Sequence, residues 1–232
     1  MKIDVIIPVL NEERALPGVL CAIPRDLVRR VIVVDNGSTD CSAEVARERG
    51  ATVVSEPRRG YGRAVWSGVE TLLADPPDAV VFLDGDGADD PAEMGLVLAP
   101  ILEGRADLVI GSRMRKPLPQ GAMTQAQHLG NIIVPFLLRL LYGSRTTDLG
   151  PFRAVRWDAL LDLHLTDRGF GITVEMQVKA ARQGLRVEEV AVSYRPRIGE
   201  SKISGTFRGA VMASLKILWV VARHAGPRRR TR

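Results

Sequence analysis

The stretch Val80-Val81-Phe82-Leu83-Asp84-Gly85-Asp86 is an apolar run that ends in two carboxylates. A buried strand reads this way when its far end reaches a site. In an extended chain alternate side chains share a face at about 3.3 Å per residue, so Asp84 and Asp86 can offer oxygens roughly 6 to 7 Å apart to one ligand. Gly85 lets that ligand approach the backbone. Two acids this close repel unless a cation lies between them, and a hard divalent ion with oxygen ligands and substrate phosphates suits the pair. The expected chemistry is a site for a metal ion and a nucleotide. Asp-Gly-Asp also describes a solvated turn after a core strand, so the elements around it decide.

Those elements alternate. Strands are expected at Ile3 to Val9, Val31 to Asp35, Thr52 to Ser55, Ala79 to Asp84 and Leu108 to Ile110. Helices are expected from Glu12 to Ala22 with Asn11 as cap, from the Asn36–Asp40 cluster to Gly50, from the Gly60/Gly62 turn to Ala74, and from Pro91 to Glu103. This alternation implies an α/β fold whose mainly parallel central sheet carries helices on both faces, with ligands bound beyond the carboxyl ends of the strands. Asn11-Glu12-Glu13, Asp35-Asn36-Gly37-Ser38, Asp84-Gly85-Asp86 and Ser112-Arg113 all fall at those ends, so one rim collects the polar clusters. Beyond residue 120 a helix from Thr124 to Tyr142 is apolar around most of its circumference, which fits deep burial or a membrane-facing surface. A short helix follows Phe152, then a helix at Val174 to Gln183, a strand at Val187 to Tyr194 and an apolar helix at Phe207 to His224 with interspersed Arg and Lys. The expected division is a catalytic unit over residues 1–204 and an amphipathic helix with a basic tail over 205–232.

The apolar fraction of 46% and charged fraction of 25% are those of a globular chain, and its 232 residues can bury a sizeable core. The net charge of +5 is equalled by Arg223, Arg228, Arg229, Arg230 and Arg232 alone. A nearly neutral body with a basic end argues against nucleic acid as partner and for contact with an anionic membrane. Cys21 and Cys41 have no metal-ligand spacing, and His128, His164 and His224 are too scattered for a zinc site or triad. With Asp4 breaking the first apolar run and no spanning-length segment, the expected location is cytoplasmic, peripheral on the inner face of the membrane. The apolar helices also leave room for a homo-oligomer.

The motifs IIPVLNEE, VVDNGSTD, RRGYGRAVWSG, LDGDGADDP, GSR, TDLGPFRAV and YRPRIGESKIS occur in that order. Together they resemble glycosyltransferase family 2, a GT-A fold, and within it the dolichol-phosphate mannose or glucose synthase-like branch. The resemblance implies that Pro8, Asn11, Glu12 and Asp35 belong to the nucleotide pocket, with Gly60 and Gly62 at the strand-to-helix turn beside it. It implies that Asp84 and Asp86 hold Mg²⁺ or Mn²⁺ on the donor diphosphate. Arg113 matches an arginine facing acceptor or donor phosphate, and Arg197, Ser201 and Lys202 match a loop closing on the diphosphate. Asn36 stands where many relatives carry a second aspartate. Ala88 stands where many offer the metal a glutamine, which leaves water, Asp89 or Asp90 to complete the shell.

The implied reaction is inverting transfer of a hexose from a nucleotide diphosphate sugar, of the UDP-glucose or GDP-mannose type, to a polyprenyl or dolichyl phosphate. An alcohol acceptor would need a base, and Asp148 is the candidate; a phosphate acceptor, largely dianionic, would use Asp148 mainly for positioning. Two alternatives stand beside this reading: the same donor chemistry with a soluble alcohol acceptor, and a noncatalytic nucleotide-sugar-binding protein.

Overall fold

The computed structural model describes residues 1–199 together with Trp219, Val220 and Arg223. Ser201, Lys202, the division at 204/205 and most of the C-terminal helix expectation lie outside the described residues.

Strands β1 (Ile3–Val9), β2 (Arg30–Asp35), β3 (Thr52–Ser55), β4 (Ala79–Phe82), β5 (Leu108–Ser112), β6 (Arg153–Arg156) and β7 (Val187–Ala191) make one sheet in the order β3-β2-β1-β4-β6-β5-β7. β1 pairs in parallel with β2 and β4, β2 with β3, and β5 with β7. Only β6 runs antiparallel, between β4 and β5. The mainly parallel α/β expectation holds, and β6 is its one unforeseen strand. Four residues flanked by arginines carry little periodic signal, and the slot between β4 and β5 exists only in the folded sheet. Chain order reverses at β1, from which β2 and β3 lie to one side and β4 to the other. Such a switch point opens a crevice at the strands' carboxyl ends.

The continuous apolar runs follow from burial on both faces. Val5, Ile7 and Val9 of β1 point into one core with α1 (Leu16–Ala22) and α4 (Met94–Leu102), while Ile6 points into the other with Val65 and Val69 of α3 (Tyr61–Leu72). Gly68 lets α3 lie close: a Cβ there would stand 2.6 Å from Ile6 Cγ2. That contact brings the N-terminal end of α3 to the rim.

Three boundaries differ from expectation. Helix α1 begins at Leu16 rather than Glu12 because Asn11 adopts a left-handed φ of 55° and turns its Oδ1 to the Thr39 N–H at 2.7 Å. It ties two rim loops together instead of capping. β4 ends at Phe82, so Asp84 and Asp86 sit on a turn beyond the strand rather than on one pleated face. β7 ends at Ala191, and Tyr194 instead forms a single antiparallel bridge with Asp89.

In the second half, α5 (Gln125–Tyr142) begins at a capping box between Thr124 and Gln127 and ends at left-handed Gly143. Val134, Leu138 and Tyr142 pack against Val174 and Val178 of α7 (Ile172–Gln183), and Val220 joins that cluster. α6 (Trp157–Asp162) is the expected short helix. Leu129, Ile132, Ile133, Phe136, Leu140 and Leu141 remain on the outer face of α5, exposed. No described helix is long and apolar enough to cross a membrane.

Candidate active site

A cavity of about 190 Å³ opens at the switch point. Its wall comes from the end of β1 (Pro8, Glu12), the Gly60–Tyr61 turn opening α3, the Asp84–Asp86 turn after β4, and Arg197. Positive φ at Gly60 (145°) and the backbone beside it explain that turn: a Cβ on Gly60 or Gly62 would stand 2.5 Å from the carbonyl of Arg168 or Asp167. The α3 N-terminus thus presents its positive end to the cavity, as suits a diphosphate.

Asp84 and Asp86 are oriented by different donors. Tyr61 Oη donates to Asp84 Oδ1 at 2.9 Å, and the Ala88 N–H donates to Asp86 Oδ1 at 2.9 Å. Burial, with the neighbouring Asp86 charge, pushes the Asp84 carboxyl up to about 7. A cation beside the pair would relieve both effects. Asp89 lies close by, buried, with neither carboxylate oxygen hydrogen-bonded. Burial raises its pKa well above the usual range, Arg113 opposes the rise, and Asp84 and Asp86 add to it. Asp90, the other acid considered for the metal shell, is committed elsewhere: it accepts from the Ala92 N–H and pairs with Arg195. By contrast Asp4, buried at the opposite end of the sheet, is paired with Arg29 at 2.6 Å and Arg30 at 2.8 Å. At the rim the Asp89 carboxylate is left without a hydrogen bond, while Asp86 pairs with Arg197 at 3.1 Å. Among the described residues there is no group of three or more Asp, Glu, His or Cys that could hold a metal ion; the two carboxylates of Asp84 and Asp86 are hard oxygen ligands that fit a divalent ion only with donor oxygens and water completing the shell.

Of the residues expected at the nucleotide, Pro8, Glu12, Gly60, Asp84, Gly85, Asp86 and Arg197 line this cavity, whereas Asn11, Asp35 and Gly62 do not. Asp35 Oδ1 accepts the Ser38 N–H at 2.9 Å and shapes the neighbouring loop. Asn36 lines the cavity and is fully engaged: Nδ2 donates to the carbonyls of Glu56 and Arg58, and Oδ1 accepts the Gly60 N–H. An aspartate could not make the two donations, which is the physical reason for an amide here.

Arg113 and Asp148 meet outside the cavity wall, in a buried two-pronged pair at 2.8 Å (Nε–Oδ2) and 2.7 Å (Nη2–Oδ1). The Arg113 guanidinium also lies 4.8 Å from the Tyr194 ring centre. Burial opposes ionisation of Asp148, but the bonds and charge of Arg113 prevail and hold the carboxyl below its usual range. A fully buried carboxylate with both oxygens given to an arginine is not placed to take a proton from an alcohol. Of the two roles expected for Asp148, base for an alcohol or positioning group for a phosphate, this arrangement favours positioning. Glu189 supports it by accepting the N–H groups of Thr147 and Asp148.

Sequence reasoning missed Arg59, Tyr61 and Phe170 at the cavity. Tyr61 lay within a motif already singled out for its glycines. Phe170 reaches the site because the Gly62 N–H donates to Gly169 O at 3.1 Å and the Arg63 N–H to Arg168 O at 3.1 Å. The small-aromatic-small pattern Gly169-Phe170-Gly171 was its only signal.

The family model for glycosyl transferase family 2 matches residues 4–163. The chain belongs to glycosyltransferase family 2. An uncharacterised glycosyltransferase of Mycobacterium tuberculosis is 42% identical over 95% of this chain and 98% of its own length. The undecaprenyl-phosphate mannosyltransferase of Micrococcus luteus is 32% identical over 99% of both chains. Among solved structures, glucosyl-3-phosphoglycerate synthase from Mycobacterium tuberculosis, in complex with Mn²⁺, UDP-glucose and phosphoglyceric acid, superposes with a TM-score of 0.75 at 25% identity, covering 97% of this chain and 80% of that one. The sheet described above is accordingly the GT-A fold, and this family 2 member is a glycosyltransferase.

Proposed function

We propose that this family 2 enzyme transfers a hexose from a nucleotide diphosphate sugar to a polyprenyl phosphate with inversion at the anomeric carbon. The observation that carries the acceptor assignment is a second cleft of about 710 Å³ beside α5. Ile132, Pro135 and Phe136 supply an apolar wall, and Arg139, Arg145 and Ser144 supply cations and a hydroxyl. An apolar track joined to phosphate-binding groups suits a prenyl chain with a phosphate head. The similarity to an undecaprenyl-phosphate mannosyltransferase supports the same class.

In the proposed reaction an acceptor phosphate oxygen attacks the anomeric carbon. The bond from that carbon to the donor diphosphate breaks, and its electron pair leaves on the nucleoside diphosphate. Asp84 and Asp86 would hold Mg²⁺ or Mn²⁺, which as a Lewis acid supplies neutralisation of the leaving diphosphate. The α3 N-terminus and Arg197 add positive potential at the same place. A phosphate whose second pKa is about 6 attacks without a protein base, in keeping with an Asp148 bound to Arg113. The reading that uses a soluble acceptor has support of its own in the likeness to a synthase solved with phosphoglyceric acid.

Nucleoside diphosphate release from UDP- and GDP-sugars, with Mn²⁺ or Mg²⁺, is measured with a short polyprenyl phosphate, with phosphoglycerate, or with neither. Release that requires metal and the prenyl phosphate is expected. Release driven by phosphoglycerate alone would replace the lipid acceptor by a soluble one, and binding without turnover would favour a noncatalytic protein.

A further inference from the structure

The two site aspartates differ in what covers them. One oxygen of each is taken by an internal donor, Tyr61 for Asp84 and the Ala88 N–H for Asp86. The second oxygen of Asp86 is held by Arg197, whose Nη1 stands 3.1 Å from Oδ2. Asp86 is nearly buried and the Arg197 side chain only about a quarter exposed, so this pair is not a screened surface contact. Arg197 also lines the donor cavity. Its backbone is pinned on both sides, since the Arg195 N–H donates to Ala88 O at 2.8 Å and the Ile198 N–H to Asp86 O at 2.9 Å. The guanidinium can therefore change partners by rotating its side chain while the 195–198 segment stays bonded to the 86–88 turn.

We propose that Arg197 is the resident counter-ion of Asp86 and an exchange element that couples metal binding to diphosphate binding. In the observed pair Arg197 neutralises Asp86. When Asp86 turns its Oδ2 to a divalent ion, Arg197 is released into the same cavity, where a diphosphate is the complementary partner for its planar donors. Arg197 thus opposes the metal alone and favours the metal with the diphosphate, so the site fills cooperatively with both rather than with either. This inference rests on the donor-site reading above.

The test separates the two. Binding of Mn²⁺ alone, of UDP and GDP alone, and of each nucleotide at saturating Mn²⁺ is measured by calorimetry on the full chain and on Arg197→Ala. The expected result is a pair of opposite shifts: Mn²⁺ alone binds roughly 5- to 10-fold more tightly to the variant, while nucleotide in the presence of Mn²⁺ binds at least about 5-fold more weakly. Arg197→Gln, which keeps most of the side chain without its charge, is expected to show both shifts, and serves where the alanine variant melts early. A purely structural arginine would weaken both ligands together. Equal or weaker Mn²⁺ binding by well-folded variants, with wild-type metal and nucleotide binding intact, overturns the exchange and leaves the donor site standing. Failure of the wild-type chain to bind Mn²⁺ or nucleotide overturns the donor-site reading and this inference together.

Discussion

At the scale of single residues the site is governed by which charges have partners. Asp84 and Asp86 lie on a turn at the sheet's switch point, where burial and the neighbouring Asp86 charge raise the cost of charge on Asp84. Asp86→Asn is expected to abolish metal-dependent nucleoside diphosphate release, by at least about 100-fold, with an unchanged circular dichroism spectrum. Asp148→Asn gives a different signature. It leaves the buried Arg113 guanidinium without its partner, a loss of about 3–5 kcal/mol, so thermal denaturation should show a large fall in Tm alongside the loss of transfer. Loss of transfer to an alcohol but not to a phosphate acceptor, at temperatures where the variant is still folded, would give Asp148 the role of base. Glu175 shows how pH acts on the same half of the chain. Burial raises its pKa, but Lys179 and the N–H groups of Asp167 and Thr166 outweigh burial and hold the carboxyl below 4.5. Because the folded value is the lower one, the stabilisation is whole above about pH 4.5 and is lost as pH falls through the folded value. Glu175→Gln should flatten the acid limb of a stability profile and leave neutral pH as the place of greatest difference from wild type.

At the scale of elements, the second half of the chain completes a site begun by the first. The loop Asp167–Gly171 is bonded to the turn opening α3, and Asp167 Oδ1 accepts the N–H groups of Gly169 and Gly171 to set the loop's curvature. Phe170 is thereby delivered to the donor cavity. Gly62→Ala places a methyl 2.5 Å from Asp167 O, and backbone has little room to yield. The expected cost is about 1–3 kcal/mol with weaker nucleotide binding, measured by chemical denaturation and by calorimetry. Gly130→Ala, whose added Cβ meets nothing within 4 Å, serves as the control. The asymmetry of α5 belongs to this scale as well. Its inner face packs on α7, while its outer face leaves six large apolar side chains in solvent, so the all-round apolar pattern has two physical explanations along one helix.

At the scale of the whole molecule, that outer face and the donor rim define how a two-phase reaction would be arranged. Under the proposed function α5 lies at the bilayer surface with Arg139 and Arg145 near the headgroups, where each cation contributes about 1 kcal/mol with anionic lipid. Leu140→Glu combined with Leu141→Glu should abolish flotation with anionic vesicles and leave metal-dependent turnover of a short, water-soluble acceptor unchanged. Flotation that persists would move the membrane contact away from α5. What the sequence by itself determined was periodic and local: apolar runs long enough to be buried on both faces, turn residues between them, and polar clusters at the strand ends, from which the parallel sheet and its rim with Asp84 and Asp86 follow, though not the turn that carries the two acids. The tertiary structure alone decided the pairings between distant positions. Arg113 and Asp148 are neighbours only because β6 enters antiparallel between β4 and β5 and brings the preceding loop to the end of β5. Arg197 reaches Asp86 from a segment whose backbone bonds to the 86–88 turn, and Asp89 is buried there with neither carboxylate oxygen hydrogen-bonded. Hydrophobic period survives in a window of a few residues, whereas the partner of a buried charge depends on which remote segments the core brings together.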